Sequence, residues 1–311
     1  MHHRNVLKTT RVGRQLVLAI AVTGIVASLS GCVLGTGQAQ RAAASPLTDG
    51  TITYGSFRSS ALRGTAHYSV YLPRGYASSP RRYPVIYFLH GLPGAPDAYK
   101  SIAGVARAVE ASGGHAIVVG AQGARAGDAD PEWLDHGPGR NWETATAVEL
   151  VKTIDSRYRT IPTRTGRVLL GISAGGYGAA LIGSHHPETY SVIESWSGYF
   201  HPTSPAGTAP LDLGSEQAND WANFHKQIPA LRKRYGRWWG STWFYLYVGT
   251  NDDRFRDENE QTYTELRAAH VPHVVFRLYQ ATPQLEPLAA PCRHLGARGA
   301  RDRRQATLMA G

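Results

Sequence analysis

The sequence predicts an α/β fold: a mostly parallel sheet with helices on both faces. Three observations carry that expectation. Residues 83–90 (YPVIYFLH) and 116–120 (AIVVG) are short, continuously apolar runs, the pattern of strands buried on both faces. Helical patterns separate such runs along the chain, as crossovers between parallel strands require. Size and composition agree: 311 residues, 42% hydrophobic and 18% charged, exclude a disordered chain. One α/β unit commonly takes about 250 residues, so a single domain suffices.

The N-terminal segment stands apart from this pattern. Residues 1–15 are basic and polar, and 16–27 (LVLAIAVTGIVA) form an apolar core too short to span a bilayer comfortably but right for a signal peptide. Leu29-Ser30-Gly31-Cys32 resembles the lipobox of bacterial lipoproteins. That resemblance implies a lipoprotein signal peptide over residues 1–31, cut before Cys32, whose sulfur would carry a diacylglyceryl group. The protein would then be exported and held on the outer face of a membrane. Residues 32–50, small and polar with no apolar period, are expected to be a flexible tether. With Cys32 modified and Cys292 spare, no internal disulfide is expected.

The expected α/β domain covers residues 51–280. Residues 51–57 and 66–72 read as two strands, the second alternating before Pro73. After the run at 83–90, Ile102, Val105, Ala106 and Val109 share one face of a helix over 97–112. The strand at 116–120 leads into a Gly- and Asp-rich loop (121–141). Val148, Leu150, Val151 and Ile154 then mark an amphipathic helix over 143–158. A strand at 167–172, a Gly- and Ala-rich helix at 174–186 and a strand at 190–195 follow. Residues 197–242 are a long excursion with one helical stretch near 218–234. A strand at 243–248, a helix at 258–269 and a last strand at 274–279 complete the domain.

The formal charge of +10 sits mostly in the tails. Lys8, Arg4, Arg11 and Arg14 precede the apolar run, and the stretch from residue 281 carries a net +3, which leaves +3 for residues 32–280. A body so near neutral gives no electrostatic case for a nucleic-acid partner. No metal-ligand spacing, Walker loop or dinucleotide fingerprint occurs, so no cofactor or metal is implied.

The chemistry-bearing signal is Gly171-Ile172-Ser173-Ala174-Gly175, a G-x-S-x-G between a buried strand and a helix. That setting presents a serine at the carboxyl end of the sheet; the alternative is a glycine-rich packing turn. Small neighbours suit a strained turn where strand and helix approach closely, and Gly171, Gly175, Gly176 and Gly178 supply them. His90-Gly91-Leu92-Pro93-Gly94 follows the first buried strand, so the N–H of Gly91 or Leu92 could join that of Ala174 in an oxyanion hole. His90 itself reads as a strand-end histidine satisfied by backbone. The acid is expected after the strand at 243–248, with Asp252 preferred over Asp253; both could instead cap the next helix.

At this point the chain resembles the esterase D and antigen 85-like branch of the α/β-hydrolases, which includes feruloyl and acetyl-xylan esterases. The pieces that carry the resemblance are RRYPVIYFLHG (81–91), GRNWETATAVELVKTID (139–155), GISAGGYGAA (171–180) and YVGTNDDRF (247–255). It implies an α/β-hydrolase fold and a chain order Ser…Asp/Glu…His, with Ser173 and Asp252 in the first two places. The family's histidine follows the last strand, commonly in a Gly-Gly-His segment followed by Trp.

Here the pattern breaks, because no Gly-Gly-His occurs and Pro283, Pro287 and Pro291 interrupt any helix. Residues 281–311 therefore read as an atypical, frame-shifted tail. One choice of synonymous codons for Pro283–Leu295, read one base later, gives HSWSLWRRHAATW, whose first His lies about 31 residues after Asp252. Among in-frame candidates, His294 follows the last strand but lies about 42 residues past Asp252, and His270 and His273 flank that strand at its wrong end. His185 and His186 suit the end of the helix after Ser173.

Three functions fit these readings: a serine esterase acting on small-molecule or polysaccharide-linked esters, a mycolyl-type acyltransferase, and a non-catalytic surface lipoprotein with a broken triad. The excursion's aromatic residues (Trp196, Tyr199, Phe200, Trp221, Trp238, Trp239, Trp243) are expected mainly in the core, with an acyl pocket as the other role.

Overall fold

A computed structural model describes residues 50–280, apart from Ala129 and residues 205–208. The expected signal, tether and tail, with Cys32, Cys292 and His294, lie outside the described residues.

Eight strands form one sheet: β1 (Thr51–Ser59), β2 (Gly64–Leu72), β3 (Val85–Leu89), β4 (Ile117–Ala121), β5 (Arg167–Ile172), β6 (Val192–Trp196), β7 (Trp243–Gly249) and β8 (His273–Tyr279). Their spatial order is β1-β2-β4-β3-β5-β6-β7-β8. The first two strands pair antiparallel, as do β2 and β4, and every other pairing is parallel. Helices α1 (Ala103–Ala111), α2 (Trp142–Thr144), α3 (Val151–Arg157), α4 (Ala174–His185), α5 (Glu216–Ala222), α6 (Phe224–Gln227), α7 (Leu231–Tyr235) and α8 (Arg256–Ala268) fill the connections.

Side-chain alternation along each strand divides the core in two. Tyr87, Leu89, Val119, Leu169, Ile193, Phe244 and Leu246 point to one face, where Ile154 of α3, Ile182 of α4, Leu231 of α7 and Leu266 of α8 cover them. Ile86, Phe88, Val118, Val168, Leu170 and Val192 point to the other, against Val105, Ala106 and Val109 of α1. Each such side chain contributes about 1.5–3 kcal/mol by leaving water, so the two-sided burial accounts for the continuous apolar runs.

Two expectations need correction. The helix over 143–158 has a π-helical turn, Ala145–Leu150, between α2 and α3. The single helix near 218–234 is three short ones. Asn223 is extended (φ −91°, ψ 111°) and caps α6 with its own side chain, which accepts from the Lys226 N–H. Pro229, with no N–H to donate, sits in a 3-10 turn before α7.

Candidate active site

Ser173 joins β5 to α4 with φ 54° and ψ −122°. A non-glycine residue at positive φ costs on the order of 1–3 kcal/mol and persists only where its surroundings over-determine it. They do so here. The Ser173 N–H donates to the Trp196 carbonyl at the end of β6 (2.9 Å), and its carbonyl accepts from Tyr177 in the first turn of α4 (3.1 Å). The turn also tolerates no side chain on its flanks. A Cβ on Gly171 would lie 1.9 Å from the Gly175 carbonyl oxygen, and one on Gly175 would lie 2.0 Å from that of Leu89.

The loop after β3 runs beside this serine. A Cβ on Gly91 would lie 3.1 Å from Ser173 Cβ and 3.7 Å from its Oγ. Leu92 is joined to Pro93 by a cis peptide bond. Ala174 opens α4, so its N–H is one of the first-turn donors without an intrahelical partner, at the positive end of the helix dipole. The structure thus brings Gly91 against Ser173, and Ala174 and Leu92 belong to one apolar cluster. His90 is 6% exposed, and its Nδ1 lies 2.9 Å from the Gly91 carbonyl oxygen. Burial lowers its pKa, and its Nε2 is buried without a partner beside Trp133.

Asp252 lies in the turn after β7, at the same carboxyl edge of the sheet as Ser173. Its N–H donates to the Gly249 carbonyl (3.1 Å) and its own carbonyl accepts from Arg256 (3.0 Å), which starts α8. A Cβ on Gly249 would touch both Asp252 Cβ (3.4 Å) and the Tyr279 ring (3.7 Å). Burial, and then the Asp252 charge, raise the pKa of the Tyr279 hydroxyl, which is hydrogen-bonded to Ser197 Oγ at 3.0 Å. Asp252 is half-buried whereas Asp253 is exposed.

No histidine among the described residues is hydrogen-bonded to the Ser173 hydroxyl. His273 stacks on Trp243 (4.1 Å between ring centroids), at the amino ends of β7 and β8. His270 precedes it at φ 58°. The reading of His185 and His186 as helix-end residues omits their main partner. Both bind the buried Glu143 carboxylate, at 2.9 and 3.0 Å, and so join α4 to α2. Burial opposes ionisation of Glu143, but these hydrogen bonds and the histidines' charge outweigh it and hold the carboxyl at about 2.

Sequence reasoning missed a residue whose partner Tyr199 shares the apolar cluster of Ala174. Glu132 is 1% exposed, at φ 51°, next to Trp133 at φ 61°. It accepts from the Tyr199 hydroxyl (2.7 and 2.8 Å) and from the Thr203 N–H and Oγ1 (3.1 and 2.8 Å). Within the aromatic excursion, Trp196, Tyr199 and Phe200 are buried, while Trp221 is half exposed and stacks on His185 (3.9 Å).

A strained serine at a strand–helix turn, with backbone donors beside it, is an arrangement able to hold a nucleophile next to an oxyanion site. The Esterase family model matches residues 59–277, more than half of the chain. The chain belongs to the esterase family. Esterase Rv1288 of Mycobacterium tuberculosis strain H37Rv is 31% identical over 151 residues, which cover 48% of this chain and 33% of that protein. The chain thus spans about a third of the length of the curated relatives it matches. A ferulic acid esterase has the same fold at a TM-score of 0.59 and 22% identity, over 75% of this chain and 90% of that one. An S-formylglutathione hydrolase from Agrobacterium tumefaciens gives 0.56 and 18%, over 76% and 88%. Likenesses at these identities show the α/β-hydrolase-type fold: an eight-stranded, mostly parallel sheet with helices.

Proposed function

We propose that this esterase hydrolyses carboxylic esters through an acyl-enzyme on Ser173. The observation that carries the reading is the strained Ser173 (φ 54°) with the Gly91 backbone pressed against it. Ser173 Oγ attacks the ester carbonyl carbon, and its proton passes to a histidine base. The N–H groups of Ala174 and of Gly91 or Leu92 stabilise the oxyanion. The alcohol leaves with that proton. Water then attacks the acyl-serine, releasing the carboxylic acid and restoring Ser173. Asp252 is the acid that orients the histidine and stabilises its charged form.

The base belongs after β8, where the tail from residue 281 reads out of frame. Without it the Ser173 hydroxyl stays protonated, and losing one triad member lowers the rate by several orders of magnitude. Leu92, Leu213 and Phe255, packed on the cluster that holds Ala174, support an apolar or aromatic acyl group as the preferred substrate half. In the version carrying the frame-corrected ending, a fluorophosphonate probe is expected to label Ser173 and to fail on Ser173→Ala. Labelling that survives the substitution would remove Ser173 from the mechanism.

A further inference from the structure

Glu132 is an unusual residue for its surroundings. It is buried within the loop that follows β4, and no cation pairs with it among the described residues. Each of its side-chain contacts comes from a hydrogen-bond donor: Tyr199 Oη to both oxygens, Thr203 N and Thr203 Oγ1 to Oε1. An unpaired buried carboxyl costs stability, and replacing it with well-packed apolar atoms is often neutral or better. Its neighbours show what it holds in place. Tyr199 stacks on Tyr177 of α4 (5.5 Å, 15°) and leans on Phe255 at the start of α8 (5.8 Å). Trp133 lies 4.9 Å from the His90 ring and would clash with a Cβ on Gly178. The dipeptide 132–133, both members at positive φ, is therefore wedged between the loop after β3 and α4 while gripping the excursion.

We propose that Glu132 is a positioning residue for the substrate pocket: by holding Tyr199 and Thr203 it fixes the excursion against α4, and with it the wall that receives an apolar or aromatic acyl group. This rests on the assignment of the site around Ser173. Glu132 touches no reacting atom, so its effect belongs in binding rather than in chemistry.

The titratable groups facing Glu132 are Asp130 on its own loop, Tyr177 on α4 and Tyr199 on the excursion. None of them supplies a positive charge. Burial pushes the Glu132 carboxyl up to about 7, against the hydrogen bonds from Tyr199 and Thr203.

Two measurements test this in the full chain with the frame-corrected ending. For p-nitrophenyl butyrate, Glu132→Gln is expected to raise KM about five- to tenfold with kcat within about twofold, and Tyr199→Phe to act in the same direction. Ferulate binding, followed by tryptophan fluorescence in the same variants, reads the pocket without needing catalysis. There Glu132→Gln should weaken affinity by a similar factor while far-UV circular dichroism is unchanged. If Ser173 proves not to be the nucleophile, the ferulate measurement still decides the matter. An unchanged KM and ferulate affinity in Glu132→Gln, a loss confined to kcat, or no ferulate binding by the parent chain would overturn the proposal.

Discussion

At the residue scale, the site depends on places where backbone meets backbone. Gly175→Ala would drive a methyl to within 2.0 Å of the Leu89 carbonyl oxygen, and neither partner is a flexible side chain. We expect a loss of about 3 kcal/mol in urea unfolding and displacement of the Gly91 loop. Gly240→Ala, at a position with nothing within 4 Å and no positive φ, should be neutral within about 0.5 kcal/mol. Equal effects at the two positions would show that close approach is not what constrains the turn at Ser173. The turn at Ser173 was legible in the sequence because its requirement is local: small residues within five positions of Ser173. Glu132 was not, because its partners Tyr199 and Thr203 lie 67 and 71 residues away and no spacing announces them.

At the element scale, α8 is tied to the excursion by a clasp of alternating sign. Glu258, in the first turn of α8, accepts from Phe200 N (2.7 Å) and His201 Nδ1 (2.9 Å), and lies 3.4 Å from His225 Nε2. The other ring nitrogen of His225 is 2.6 Å from Glu265. Burial opposes charge on both partners, but the contacts outweigh it: Glu258 is held down at about 2, and the His225 pKa is raised above 6.5. The signs follow. The raised His225 contributes stability that is full below pH 6.5 and is lost as pH rises through its folded pKa. The depressed Glu258 contributes stability that is full above 4.5 and is lost as pH falls toward about 2. Wild-type Tm should therefore decline above pH 6.5 more than that of His225→Gln, by about 4 °C. Parallel profiles would show that the clasp does not couple α8 to the excursion.

The strands and longer helices were legible because periodicity is itself a local signal. The excursion was not, since Asn223 and Pro229 break its helical pattern and its course is set by long-range contacts to Glu258 and Glu132.

At the scale of the whole molecule, parallel pairing from β3 through β8 gathers the functional ends on one sheet edge. The ends of β3, β5 and β7 deliver Gly91, Ser173 and Asp252 there, while His273 begins β8 at the opposite edge. Under the proposed mechanism the base would follow β8 at this same edge and act between Ser173 and Asp252. The most direct test compares p-nitrophenyl butyrate hydrolysis by the chain as written with hydrolysis by a version in which residues 283–295 are replaced by HSWSLWRRHAATW. We expect the written chain to be nearly inactive and the replaced version faster by at least about 10³-fold, with that gain abolished by Ser173→Ala. Full activity in the written chain, or a gain that survives Ser173→Ala, would contradict the account.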